Sequence, residues 1–368
     1  MISAALRSGC SRVLVSCPRR VTQSSFCVKP VSLRRRPCPP LAVSRDCRQD
    51  EGTIDRKRPD MQVLADFPWE NGQEWLDELR RQGGAHRIHA WPDIPAPDRI
   101  EVAIVWTPSA DLFEGLNGLR ALIVPGAGID QLSQSGTDLP DVPIVRLADP
   151  VMATRMAEYV LAMVLGHHRQ LGRYRDQQAN VVWARHFHRD PADVGVGILG
   201  MGVMGTAAAH HLQAIGYAVT GWSRTEKSIA GIKTVAGEAA LEPLIASSDV
   251  LVCLLPLTGA TRGILNARVF DAMPEGALVI NAARGGHLVV PDLIAALDDG
   301  KLNAVLDVFE DEPLPPESPL WRHPAVTITP HVASLSNPVT GVRQIVRALD
   351  RIEAGERPDH VVDRSAGY

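Results

Sequence analysis

From Met61 onward, short apolar runs alternate with segments in which apolar residues recur every three or four positions. MQVLADF (61–67) has the run of a buried strand, and the following GQEWLDELRRQG places Trp75, Leu76 and Leu79 on one helical face. HRIHAW, EVAIVW, LRALIVPGAG and PIVRLAD predict further strands, each bounded by Pro, Gly or Asp. MAEYVLAMVLGHHRQLGRYRDQQ predicts one long helix. After RDPADVG a second strand–helix series opens at VGILG and runs to VTITP near residue 330. In the tail, Val342, Ile345, Val346, Leu349 and Ile352 fall at helical spacing. Alternation of this kind means parallel sheets covered by helices, so the pattern predicts an α/β protein with two such units.

Length and composition agree with two domains. A chain of 368 residues exceeds what one compact core holds. With 45% hydrophobic and 22% charged residues, it has the make-up of an ordinary soluble globular protein. A net charge of −4 argues against nucleic acid or an anionic membrane as the main partner. No apolar run approaches the roughly 18 residues of a membrane span. The first 60 residues stand apart. No acidic residue precedes Asp46, Arg pairs and triplets sit among Ser and Pro, and five of the six cysteines lie here without metal-site spacing. This segment is expected to be a disordered leader on a cytoplasmic protein; an organelle transit peptide, which has the same Arg-rich and acid-poor make-up, is the competing reading. No metal site is expected.

The second series opens on a phosphate cradle. Gly200, Gly202 and Gly205 have G-x-G-x-x-G spacing, a weak pattern alone. Here it follows the apolar strand VGVGIL and begins a helix carrying Ala208, Leu212 and Ile215, the context that pattern needs. The glycines permit a tight turn and close backbone approach to a pyrophosphate, which helix amides then face with the positive end of the dipole. About 20 residues on, an NAD site offers Asp or Glu to the ribose 2′-hydroxyl. This chain offers Ser223, Arg224 and Thr225, with Lys227 close behind. A hydroxyl and cations suit a 2′-phosphate, so NADPH is the expected cofactor, with NADH possible.

Three polar residues recur at strand ends of that series: Arg284 after ALVIN, Glu312 a few positions after AVLDVF, and His331 after VTITP. Each strand is expected to follow a helical segment, so right-handed crossovers put these ends on the cradle's side of the sheet. Reduction of a carbonyl needs a hydride on one face and a proton on the oxygen. Imidazole can give that proton near neutral pH, and a carboxylate beside it orients the ring. Arg284 then holds a carboxylate of the substrate. Each residue has a plainer reading: a structural His, an acid on a solvated loop, an Arg paired with Asp307. Alignment of all three with the cradle favours a site.

GMGVMG, LLPLTGATRGIL, NAARGG, LDVFEDEPLPPESPLW and TPHVAS, in that order, resemble the D-isomer-specific 2-hydroxyacid dehydrogenases. WSRT, ESPLWRHPAVTITPHVAS and the ending VDRSAGY are similar to the glyoxylate/hydroxypyruvate reductase A branch. The resemblance implies Arg284, Glu312 and His331 as the catalytic set, and amides of Ala127 and Gly128, with Arg284 and Trp106, around the substrate. It implies Gly200, Gly202, Val203, Met204, Gly205, Ser223, Arg224, Pro256, Ala283 and Asp307 around the cofactor. Trp106 and Met152 could equally be core residues. The fold implied is two Rossmann-like or flavodoxin-like doubly wound parallel-sheet domains with the active site in the interdomain cleft. A substrate domain of residues 61–154, completed by 335–368, would flank a cofactor domain of 155–334. The activity implied is NADPH-dependent reduction of small 2-keto acids such as glyoxylate and hydroxypyruvate, in a homodimer with the helix around MAEYVLAMVLGHH at its interface. A corepressor-like, NAD(H)-sensing binding protein on the same fold is the alternative.

Overall fold

A computed structural model of the protein describes residues 61–134 and 136–364; the leader expected over residues 1–60 lies outside them. The first sheet takes β1 (Gln62–Ala65), β2 (Arg87–Ala90), β3 (Val102–Ile104), β4 (Ala121–Val124) and β5 (Ile144–Arg146) in the order β2-β1-β3-β4-β5, with every pair parallel. Helix α1 (Gly72–Gln82) crosses between β1 and β2 and buries Trp75, Leu76 and Leu79, the face its periodicity predicts. A short helix α2 (Asp130–Gln134) follows β4.

Helices α3 (Pro150–His168) and α4 (Leu171–Ala179) connect this sheet to a second, seven-stranded one. Its members are β6 (Gly195–Leu199), β7 (Ala218–Ser223), β8 (Lys233–Ala236), β9 (Val250–Cys253), β10 (Ala277–Asn281), β11 (Leu302–Leu306) and β12 (Val326–Ile328). The order is β12-β11-β10-β9-β6-β7-β8, again all parallel. Helices α5 (Val203–Ile215), α6 (Leu241–Ala246), α7 (Ala267–Ala272) and α8 (Val290–Asp298) lie in the crossovers. Strand order reverses between β6 and β9, and such a switch point opens a crevice at the carboxyl ends. The register is aligned there: Leu199 pairs with Cys253, Cys253 with Asn281, Asn281 with Leu306, and Leu306 with Ile328. Five strand ends therefore form one row.

Two elements differ from expectation. The single long helix is two, because Gln170 adopts a left-handed φ of 54° and ends the ladder after α3. Periodicity alone carries no mark of this break, which falls at the polar pair Arg169 and Gln170. Strand β12 follows a short 3-10 turn at Pro319–Arg322 rather than a helix, yet still pairs parallel to β11. The expected domain boundary at 154/155 falls inside α3.

The last helix, α9 (Pro338–Glu353), returns to the first sheet. Val342, Ile345, Leu349 and Ile352 join the core that holds Trp75, Leu79 and Ile123. Contact is tight at Gly341, where an added Cβ would lie 2.5 Å from the Trp75 ring. Gly341→Ala should gain about 1 kcal/mol of helix propensity. The overpacking costs about 1–3 kcal/mol and should dominate. A lower urea midpoint at unchanged m-value is the expected outcome; a stabilised variant would mean that α9 does not seat on Trp75.

Candidate active site

At the end of β6 the chain turns at Gly200, with φ of 103°, where a Cβ would press on the Leu254 backbone at 2.6 Å. Gly205, on the first turn of α5, sits so close that a Cβ would lie 2.0 Å from the Gly200 carbonyl oxygen. Gly202 is the N-cap of α5, and a Cβ there would meet nothing within 4 Å. Two glycines are thus fixed by packing and the third faces open space, as a backbone approached by a pyrophosphate requires. Val203 and Met204 start the helix behind it, with Val203 exposed. Ser223 ends β7, buried, its hydroxyl donating to the Thr225 carbonyl at 2.8 Å. Lys227 folds back and donates from Nζ to the Met201 carbonyl at 2.9 Å, so a cation sits at the glycine turn. Arg224, beside it, is exposed. The residues directly after β7, Arg224 and Thr225, are not acidic. The group that these residues fit is a dinucleotide.

The neighbouring strand ends carry the polar set. His331 Nδ1 and Glu312 Oε2 are 2.8 Å apart, and Glu312 Oε1 accepts from the Phe309 amide at 2.9 Å. Burial pushes the Glu312 carboxyl up. The His331 hydrogen bond, the Phe309 amide and the charges of His331 and Arg284 outweigh it and hold the group below its ordinary value. His331 itself has a left-handed φ of 53°, uncommon outside glycine. Its amide donates to the Asp307 carbonyl at 2.8 Å.

Arg284, three residues beyond β10, has a protein partner that its sequence context did not announce. Its Nε donates to both Asp130 oxygens at 2.9 and 2.8 Å, and Nη1 donates to the Ala283 carbonyl at 2.6 Å. Asp130 begins α2 on the first sheet, so this pair joins the carboxyl ends of the two sheets. Arg284 does not pair with Asp307. The remaining nitrogen, Nη2, lies over Gly128, where a Cβ would come within 1.9 Å. Gly126 is constrained in the same way by the Trp106 ring, at 2.3 Å. The glycines of PGAGID thus make room for an arginine and a tryptophan.

The other expected residues divide by environment. Pro256 follows β9, and its carbonyl accepts from Thr261 at 2.7 Å. Ala283 is buried beside Arg284. Asp307 is 1% exposed and turns inward: Oδ1 accepts from the Thr329 hydroxyl at 2.6 Å and the Val332 amide at 2.9 Å, and Oδ2 from the Ala333 amide at 2.9 Å. Trp106 packs edge-on against Trp69, ring centroids 5.8 Å apart, and also borders the PGAG loop. Met152 is buried, with its carbonyl accepting from Ser334 at 2.7 Å. Asp130 was missed, although an acid two residues beyond Gly128 was its signal.

A glycine cradle at a switch point, with an imidazole–carboxylate pair and an arginine on the same rim, defines a nucleotide-dependent oxidoreductase. The family model described as "D-isomer specific 2-hydroxyacid dehydrogenase, NAD binding domain" matches residues 161–333. A D-isomer specific 2-hydroxyacid dehydrogenase from Xanthobacter autotrophicus Py2, solved with NADPH and MES, is 39% identical with a TM-score of 0.79, over 84% of this chain and 100% of that one. An NADPH-dependent glyoxylate/hydroxypyruvate reductase from Sinorhizobium meliloti, solved with NADP and sulfate, is 38% identical with a TM-score of 0.78 and the same coverage. A probable 2-hydroxyacid dehydrogenase from Rhizobium etli CFN 42, solved with NADP, HEPES and L(+)-tartaric acid, is 35% identical with a TM-score of 0.77, again over 84% and 100%. The chain belongs to the D-isomer specific 2-hydroxyacid dehydrogenase family.

Because the folded-state pKa of Glu312 is lowered, its contribution to stability is present above the unfolded value near 4.3 and lost as pH falls through the folded one. Glu312→Gln cannot titrate. Between about pH 5 and about pH 3 the native urea midpoint should fall more steeply than that of the variant. Parallel curves would mean that the carboxylate gains nothing from His331 and Phe309.

Proposed function

We propose that the protein is an NADPH-preferring reductase that converts small 2-keto acids, glyoxylate and hydroxypyruvate among them, into 2-hydroxy acids. The observation that carries this reading is the His331–Glu312 pair on the same rim as Arg284 and the glycine cradle. His331 donates a proton to the carbonyl oxygen as that oxygen gains charge. Glu312 fixes the ring through Nδ1, which leaves Nε2 to face the reaction. Arg284, steered by Asp130, presents Nη2 beside Gly128, and the amides of the PGAG loop lie next to it; together they suit a carboxylate. A bound NADPH supplies the hydride. Trp106 against Gly126 limits the space and favours small acids.

Cofactor choice rests on Ser223, Arg224 and Lys227 where an acid would select NAD. The named relatives hold NADPH or NADP. Substrate choice is supported by the activity named for the Sinorhizobium protein and the tartaric acid held by the Rhizobium one. In domain organisation, residues 61–154 with α9 and the chain end form the substrate domain, and 155–334 the cofactor domain; α9 packing on α1 and α3 packing on α5 support this division. The chain works as a homodimer in this reading. Between α4 and β6, Val181, Trp183 and Phe187 are each more than nine-tenths exposed, an apolar surface that a second copy would cover. None of the described helices is long and apolar enough to cross a membrane.

The direct test is cofactor oxidation with a panel of 2-keto acids. Glyoxylate and hydroxypyruvate should be reduced with NADPH well ahead of NADH, and Arg224→Asp should weaken NADPH while leaving NADH nearly unchanged. No oxidation with any keto acid would favour a binding protein; equal use of both cofactors would remove the argument from Ser223 and Arg224.

The dimer is checked by light scattering after size exclusion. Trp183→Glu with Phe187→Glu should move the native protein from dimer to monomer. A native protein that already runs as a monomer ends this part of the reading.

A further inference from the structure

We propose that Tyr159 is a positioning residue for the protonating imidazole, acting through Thr329 and Asp307 without touching substrate. The inference rests on the reading of His331 as general acid. It starts from a conformational problem: His331 has φ of 53°, a region that non-glycine residues keep only when their surroundings over-determine it. Asp307 supplies those surroundings. Its carbonyl accepts from the His331 amide at 2.8 Å, and its side chain accepts from Thr329, Val332 and Ala333. One buried residue thus holds the turn from both sides of the imidazole.

Tyr159 completes the arrangement from α3. Its hydroxyl lies 2.7 Å from Thr329 Oγ1. The single Thr329 proton is committed to Asp307 Oδ1, so Tyr159 must be the donor. Burial pushes the phenol up to about 12, reinforced by the Asp307 charge, so it carries its proton throughout the working range. The resulting chain runs one way, Tyr159 to Thr329 to Asp307. Helix α3 grips the same loop beyond the histidine as well. Ser334 donates to the Met152 carbonyl at 2.7 Å, and Arg155 donates to the Leu335 carbonyl at 2.6 Å. Because α3 follows directly on β5, the first sheet's position is linked mechanically to the proton donor on the second.

Tyr159→Phe keeps the ring and removes the hydrogen bond. Single-turnover hydride transfer at saturating NADPH and glyoxylate should slow about tenfold, a loss in the range that small misplacements of a reacting group produce. KM for both should stay within about twofold, since ground-state binding is untouched. Thr329→Val should match it, the double variant should be no slower than the slower single one, and Thr329→Ser should be near native. A native hydride-transfer rate in Tyr159→Phe, with His331→Gln inactive, would overturn the positioning role and leave the general acid standing. Additive losses, or an equal loss of NADPH affinity, would also overturn it by assigning the hydroxyl to packing. If His331→Gln retains the native rate, the reading of the general acid fails, and this proposal with it.

Discussion

Parallel pairing in register is the constraint from which the site follows. Leu199, Cys253, Asn281, Leu306 and Ile328 are successive cross-strand partners, and each is the last residue of its strand. The chain must leave the sheet at the same height five times. Cradle, Pro256, Arg284 and Glu312 are therefore carried to one rim by strands that are almost wholly buried. His331 joins them from the partly buried edge strand β12, held in place by its pairing with β11. A slip of one residue would exchange the side chains that β10 and β11 present to the two covered faces of the sheet and disrupt the packing on both, at a cost far beyond that of moving a loop.

Electrostatics then refine what topology assembles. Arg284 lies between two sheets and would be costly to hold there with no anion. Asp130 satisfies one edge of the guanidinium, and the other edge is turned toward Gly128. An acid on the first sheet therefore aims an arginine on the second, and the geometry of the pair depends on the two sheets keeping their relative placement. Asp307 does the comparable service for His331: a buried carboxylate with its oxygens occupied by one hydroxyl and two amides fixes a turn that its own backbone preference would not choose.

The second sheet was the more legible half. Its cradle was readable because glycine spacing, an apolar strand and an amphipathic helix coincide within a short stretch, and Gly200 and Gly205 have the packing that such a turn imposes. Arg284, Glu312 and His331 were readable as strand-end residues because polar side chains interrupt apolar runs there. Less visible were the partners. Tyr159 lies in an apolar helix whose spacing marks it as another packing residue, and Thr329 closes a strand whose neighbours explain it without function. The break at Gln170 was invisible for a similar reason, since a single left-handed residue leaves the polar pattern of α3 and α4 intact.

Local sequence by itself determined the alternation of strands and helices, the class of fold, the phosphate cradle and the identity of the polar rim. These depend on periodicity and on residues close together in the chain, so they survive without knowledge of distant neighbours. Tertiary structure decided which carboxylate meets which cation. Asp130 and Arg284 are 154 positions apart, and Tyr159 and Thr329 are 170 apart. Hydrogen bonds of this kind require atoms to meet within about 3 Å. Only the packed arrangement of both sheets, with α3 running between them and α9 closing the first, brings such atoms together.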